Sequence, residues 1–327
     1  MKKFTFLILI IISIANIPLF SKDYEKVDRI VQNYPNSFSD PDQLAKLINR
    51  DFKLPEEKAR AIFTWIALNI DYDIKALNSK PEIISFSYST QEEKLFREQK
   101  IEEDLAIQTL RKGKAVCQGY STLYKYLCDL ASIECVIVPG ASKTRKTDIG
   151  KLPRNNDHTW NAVKINNEWK LIDVTWGAGY TNENATRFIP AFNDYYFFTS
   201  PYKFFLNHYP EDSAWLLIDI SKETFANLPL YYSSFYKLNV EVVEPQKGII
   251  LISKNESIKL VLKNSKNELV SMKFENDKYS KLVQPKNENE FSFYEIRYEK
   301  NANTYLTVYI NTRSFVTFKV ERLIFSK

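Results

Sequence analysis

The sequence predicts an α+β protein, with helices packed on an antiparallel sheet and a β-sandwich at the C-terminal end. Three observations predict this. Up to about Lys112, apolar residues recur at helical spacing. Residues 135 to 176 instead carry short β-rich runs divided by turn residues. From about Tyr231 the texture shifts to alternating runs separated by Asn- and Lys-rich turns. A chain of 327 residues has the length of about two domains. The expected division is residues 1–21 as a signal peptide, 22–225 as an N-terminal domain with leading helices, and 231–327 as an Ig-like sandwich.

At the N-terminus, Met1, Lys2 and Lys3 precede an apolar stretch from Phe4 to Ala15, with Ser21 shortly after. A basic start, a short apolar core and a small residue describe a signal peptide. The stretch is shorter than the ~20 apolar residues of a membrane span, and Asn16 and Pro18 interrupt it. Cleavage after Ser21 is expected to release a soluble exported protein with no stable membrane insertion, secreted or periplasmic. An uncleaved membrane anchor is the alternative. Removing Lys2 and Lys3 in this way lowers the formal net charge from +5 to +3.

Ser39-Asp40-Pro41-Asp42 is a helix start, followed by Leu44, Leu47 and Ile48 on one face. Pro55-Glu56-Glu57 opens a second helix, since proline suits the first turn and acids suit the dipole there. Its apolar stripe is Ile62, Phe63, Ile66 and Ile70, with Trp65 in the core. Residues 78 to 92 read as a loop, and residues 92 to 111 as a helix that ends at Gly113. Cys135-Val136-Ile137-Val138 reads as a short strand stopped by Pro139-Gly140, and a charged loop from Lys143 to Asn156 follows. His158 to Ile165 and Trp169 to Trp176 then read as a hairpin turning at Asn166-Asn167, because Asn accepts positive φ. In the last third, Ser257 to Leu262 and Thr304 to Ile310 alternate as strands do.

Composition excludes several classes of function. At 44% hydrophobic and 26% charged residues the chain is an ordinary globular one, neither disordered nor a disulfide-knit miniprotein. Two His and three Cys leave no room for a multi-histidine metal cage or a four-Cys zinc site. No acidic loop has the EF-hand pattern, and no cofactor is expected. The basic excess never forms a run, so nucleic acid is not an expected partner. In an oxidising compartment three Cys permit one disulfide and leave one thiol over.

Six of the seven Gly fall between Gly113 and Gly179, in a window that also holds all three Cys, one His and three Trp. Within it, Tyr120, Leu123, Tyr124, Leu127 and Leu130 recur at helical spacing, which puts Cys117 at a helix N-terminus. Backbone N–H groups and the dipole favour a thiolate there. Cys128, inside the helix, and Cys135, on a strand, read as buried thiols or as the one disulfide. If Asn166-Asn167 is the turn, His158 faces Thr175 and Trp160 faces Asp173. His158 and Asp173 are then diagonal neighbours on one face, within side-chain reach, and a carboxylate there would fix the imidazole tautomer. A register error of one residue would separate them.

Three blocks now stand together: Lys114-Ala115-Val116-Cys117-Gln118-Gly119-Tyr120, Asp157-His158-Thr159-Trp160-Asn161-Ala162-Val163, and Trp169 through Gly179. They resemble the core of the transglutaminase-like superfamily, and within it the kyphoscoliosis peptidase branch. The gaps fit, with 41 residues from Cys117 to His158 and 15 from His158 to Asp173. Arg60 through Asp73, Tyr195 through Pro201 and His208 through Trp215 match as well, so the resemblance covers about residues 55 to 220. One mild departure is Ala115 where Gly is usual.

The resemblance implies a papain-like triad in which Cys117 is the nucleophile, His158 the general base and Asp173 its orienter. It also implies a structural role for His208, which reads as lying in a loop. Gln118, Trp160 and Trp176 are candidates for substrate binding, although hydrophobic packing is the stronger reading of the two tryptophans. The expected activity is that of a thiol enzyme acting on protein or peptide amides through a thioester, with water or an amine as acceptor. First-turn N–H groups near Cys117 are natural oxyanion donors. The alternative is a non-catalytic scaffold that recognises a partner through this fold and the sandwich. The sequence does not separate peptidase from transamidase, and it leaves the oligomeric state open.

Overall fold

The computed structural model describes residues 24–79, 86–182, 184–253, 256–300 and 302–323. The apolar stretch read as a signal peptide lies outside the described residues. No helix among them is long and apolar enough to cross a membrane.

The leading helices form where their caps predict. Asp40 caps Pro41–Asp51 by accepting from the Asp42 N–H, and Leu44 and Ile48 are buried beneath it. Pro55–Asn69 is buried on every side from Ala59 to Ala67, well beyond a single stripe. Even Arg60 lies inside, held by two hydrogen bonds of 2.9 and 2.7 Å to Asp28, which also accepts from the Thr64 hydroxyl. Gln91–Lys112 starts on a Thr90 cap and ends at Gly113, whose φ of +62° is the left-handed C-cap. A one-turn helix, Ile74–Leu77, occupies the chain before the segment read as a loop.

Five antiparallel strands form the central sheet. Their order across it is Phe197–Thr199, Glu168–Ile172, His158–Ile165, Cys135–Ser142, His208–Pro210. The hairpin has the expected register, pairing Ile165 with Glu168 and Asn161 with Ile172. Asn166 and Asn167 take positive φ, 51° and 64°, as a two-residue turn requires. The helix Cys117–Leu130 packs against this sheet and buries Tyr120, Leu123, Tyr124 and Leu127.

Three expectations need correction. First, the 135 strand does not stop at Pro139-Gly140; it runs to Ser142. The Pro139 carbonyl accepts from the Glu211 N–H on the edge side, so the N–H that proline lacks faces past the end of the short His208–Pro210 strand. At Gly140 a Cβ would lie 2.4 Å from the Tyr209 carbonyl and 2.4 Å from Trp160, so the edge strand can close only on glycine. Second, the hairpin's second strand ends at Ile172, and a short helix, Val174–Ala178, replaces its expected extension to Trp176. Third, Lys143, read as the start of a charged loop, has its charge inside the protein. It is 1% exposed, and its ammonium donates to the carbonyls of Phe225, Ala226 and Leu228 at 2.5, 3.1 and 2.9 Å.

Beyond the central sheet, two sheets face each other. One is built from Leu230–Tyr231, Arg313–Arg322, Thr304–Ile310, Val270–Phe274 and Lys281–Leu282, with Ile249–Ile252 added in parallel to Arg313–Arg322. The other orders Glu241–Glu244, Ser257–Lys263, Phe291–Arg297 and Lys286–Glu288. Leu260, Leu262 and Tyr294 from one sheet and Met272, Val308 and Phe318 from the other belong to a single buried core.

Lys143 ties the first of these regions to the chain leading into the second. Burial pushes its pKa down to about 7, opposed by Asp148, while three carbonyl acceptors at a helix end favour the charged form. Lys143→Met keeps the aliphatic stem but strands those carbonyls, and it should lower stability by roughly 3 kcal/mol. Urea unfolding measures this, and a loss below about 1 kcal/mol would show that the cage contributes little.

Candidate active site

Cys117 is the first residue of its helix, behind an extended Val116. The approach to it is pinned by a short parallel pairing of Asp71–Tyr72 with Lys114–Ala115, extended by the Asp73 N–H donating to the Ala115 carbonyl at 2.9 Å. Glycine is required at 119 because a Cβ there would lie 2.5 Å from Ala115 and 2.7 Å from Thr109. The helix start therefore sits close against the preceding strand and helix. The N–H groups of Cys117 and Gln118 belong to the first turn, where no carbonyl lies four residues back within the helix.

His158 opens its strand, and Asp173 follows the last residue of the neighbouring one. His158 Nε2 lies 2.7 Å from Asp173 Oδ2. The face-sharing inferred from the register is thus realised, by a different backbone route from the one expected. The pairings of Trp160 with Asp173 and His158 with Thr175 do not form, since the ladder ends at Asn161 and Ile172. Asp173 instead caps the Val174–Ala178 turn: its Oδ1 accepts from the Trp176 N–H at 3.0 Å and its carbonyl accepts from Gly177. The cap fixes the Asp173 side chain beside His158.

His208 is not in a loop. It begins the edge strand His208–Pro210, is 1% exposed, and places Nε2 2.9 Å from the same Oδ2 of Asp173. The Asp173 carboxylate is fully buried and, among the described residues, meets three nitrogen partners, two imidazoles on Oδ2 and the Trp176 N–H on Oδ1. Of the two imidazoles, His158 is the one whose charge is coupled to the Cys117 thiol.

The remaining candidates separate by position. Gln118 is exposed and its amide donates to Thr122 at 3.2 Å. Trp176 is half-buried and stacks on His158 with ring centres 5.4 Å apart. Trp160, a candidate for substrate contact, is 1% exposed and packs behind the imidazoles against Phe204 and His208. Its burial gives it a wall's role rather than a surface one. Cys128 and Cys135 are free buried thiols rather than a disulfide.

Two neighbours of the thiol lie in the matching blocks but carry no role in the sequence analysis. Thr159 helps to lower the Cys117 pKa through both its backbone and its side chain, and its hydroxyl lies 3.2 Å from that of Ser121. Its adjacency to His158 was the one available signal. Tyr72 belongs to the strand that pins the nucleophile loop, half-buried near Cys117.

Burial pushes the Cys117 thiol up, but hydrogen bonding and charge from His158, then Thr159, more than offset it, and its pKa is lowered. Burial likewise opposes charge on His158, yet Asp173 and then Cys117 overcome it, and its pKa is raised. Both shifts favour a resting thiolate–imidazolium pair. Asp173 resists burial through His158 first and His208 second, which hold it well below the usual carboxylate range. The donor atoms of His158, Asp173 and His208 fall within 4.8 Å of one another, as metal ligands could. The 2.7 and 2.9 Å contacts among them have hydrogen-bond lengths.

Residues 42–174 match the model of the transglutaminase-like superfamily, so that segment is a transglutaminase-like domain. Among its curated relatives, human kyphoscoliosis peptidase is 30% identical over 241 residues, covering 73% of this chain and 33% of the human protein. Cytokinesis protein 3 of Schizosaccharomyces pombe is 23% identical over 155 residues, covering 47% of this chain and 17% of the yeast protein. The chain therefore spans a third or less of the length of these relatives. Among solved structures, a putative cysteine protease from Cytophaga hutchinsonii aligns at 22% identity with a TM-score of 0.25, covering 49% of this chain and 45% of that one.

The lowered thiol pKa has a direct readout. Iodoacetamide should alkylate one of the three thiols, Cys117, with a half-point below the ordinary thiol value of about 8.5. His158→Ala removes the proton acceptor and should return that half-point to the ordinary range or above it. Peptide mapping across pH measures both; a wild-type Cys117 that reacts like an ordinary thiol would contradict the pairing.

Proposed function

We propose that this protein is an exported thiol enzyme that acts on protein or peptide amides through Cys117, His158 and Asp173. The observation that carries the reading is a helix-start thiol electrostatically coupled to an imidazole that lies 2.7 Å from a buried carboxylate. That is the arrangement nucleophilic catalysis needs: nucleophile, base, and a third group that orients the base.

The chemistry follows from the resting charges. The Cys117 thiolate attacks the carboxamide carbon, and the carbonyl oxygen takes up the negative charge. The N–H groups of Cys117 and Gln118, in the first turn of the helix, are the oxyanion donors in this reading. Collapse breaks the C–N bond, and the leaving amine takes its proton from the imidazolium of His158. The acyl group remains on sulfur as a thioester. His158, now neutral, takes a proton from the second acceptor, water or an amine, which attacks the thioester and releases the thiolate. Water gives hydrolysis or deamidation, and an amine gives a cross-link. The half-buried Trp176 over His158 and the buried Trp160 behind it limit water around the base. Export rests on the N-terminal apolar segment, and a membrane anchor remains the alternative to cleavage.

One observation favours a second reading. A relative is named for cytokinesis rather than for an enzymatic activity, which fits a scaffold that uses the same fold to hold a partner. A glutamine-containing protein incubated with a labelled primary amine distinguishes the two, with mass spectrometry reading incorporation against cleavage. The enzyme reading expects one or the other in wild type and neither in Cys117→Ala. Equal outcomes for wild type and Cys117→Ala across a panel of protein substrates would leave the scaffold.

A further inference from the structure

Two imidazoles reach Asp173 Oδ2, and of the two it is His158 whose charge is coupled to the thiol. The second has a defined setting of its own. The His208 ring stacks on Phe204 with centres 4.0 Å apart, and its Nδ1 faces the Phe204 carbonyl at 3.2 Å. Trp176 lies 4.4 Å away and the edge of Trp160 5.1 Å away, centre to centre. Its backbone belongs to the edge strand that closes on Gly140. So many contacts on a ring that does not meet the nucleophile point to work done through Asp173.

We propose that His208 is a positioning residue: its Nε2 proton rests on Asp173 Oδ2, holding that carboxylate ionised and aimed at His158. The inference rests on the thiol-enzyme reading above and extends it. His158 exchanges its proton with the reactants during turnover, so its bond to Asp173 changes character at each step. His208 has no such partner, and with the Trp176 N–H on Oδ1 it supplies a constant pair of donors. The titratable groups facing it are Asp173 and His158, with the Tyr196 ring 6.4 Å off. Both of its nitrogens face oxygens, and burial favours the neutral ring, opposed by Asp173. With a single proton to place, the 2.9 Å carboxylate contact takes it ahead of the 3.2 Å carbonyl.

Because the chain has two His, imidazole nitrogen–proton NMR of the wild-type protein reads this directly. Both rings should carry a strongly deshielded proton on Nε2, and Asp173→Asn should move both signals. A His208 that carries its proton on Nδ1 alone would overturn the assignment without any substitution at His208.

The functional arm uses the pH profile of Cys117 alkylation. His208→Phe keeps the stack on Phe204 but has no donor, so Asp173 should hold the imidazolium less well. The half-point should then rise by about one pH unit, the scale of one charge-assisted hydrogen bond. His208→Gln offers an amide N–H to the same oxygen and should restore most of the shift. A folded His208→Phe with the wild-type profile, or equal shifts in the two variants, would show packing rather than positioning and sink the proposal. If His208→Phe does not fold, the NMR result decides. A wild type with no low-pH reactivity at Cys117 would instead bring down the thiol-enzyme reading itself, and this inference with it.

Discussion

A fully buried carboxylate organises this molecule. Left unpaired, Asp173 would cost several kcal/mol of desolvation, so its position holds only while these three nitrogen partners are in place. Those partners come from three different pieces of chain: the strand His158–Ile165, the edge strand His208–Pro210 and the turn Val174–Ala178. The central sheet is the frame that brings them together, because Cys135–Ser142 pairs with the first on one side and the second on the other. Changes to the sheet's closure, at Gly140 above all, therefore reach the carboxylate.

The same carboxylate sets the state of the thiol, one step removed. Asp173 raises the pKa of His158, and His158 lowers that of Cys117. Each link runs against its own desolvation, so the low-dielectric surroundings strengthen the coupling that they also oppose. The helix start contributes its N–H groups and dipole to the sulfur end. Tyr72 and Ala115, paired by backbone, hold the loop that delivers Cys117 to that point.

Much of this arrangement was legible in the sequence, for local reasons. The Asp40 and Gly113 caps, the Asn166-Asn167 turn and the register that follows from it all depend on residues close in the chain. Hairpin register put His158 and Asp173 within reach and helical periodicity put Cys117 at a helix start, while it was the family resemblance that implied the three act as a set. The misreadings had tertiary causes. The second hairpin strand stops at Ile172 because the Asp173 side chain caps a turn, which alternation alone does not reveal. His208 lies 35 residues from Asp173, and only an edge strand seated on Gly140 brings it there. Lys143 looked like the start of a charged loop because its acceptors are carbonyls more than 80 residues away.

The central claim is that Cys117 forms an acyl bond to an amide substrate, oriented and charged through His158 and Asp173. Its most direct test is acid-quenched intact-mass analysis of the enzyme with a glutamine-containing peptide, sampled before the second acceptor resolves the intermediate. The account predicts a mass increase equal to the peptide less ammonia or a released amine fragment, mapped to Cys117, discharged by hydroxylamine and absent from Cys117→Ala. Turnover of the amide that persists in Cys117→Ala, or an adduct mapped to another residue, would contradict it.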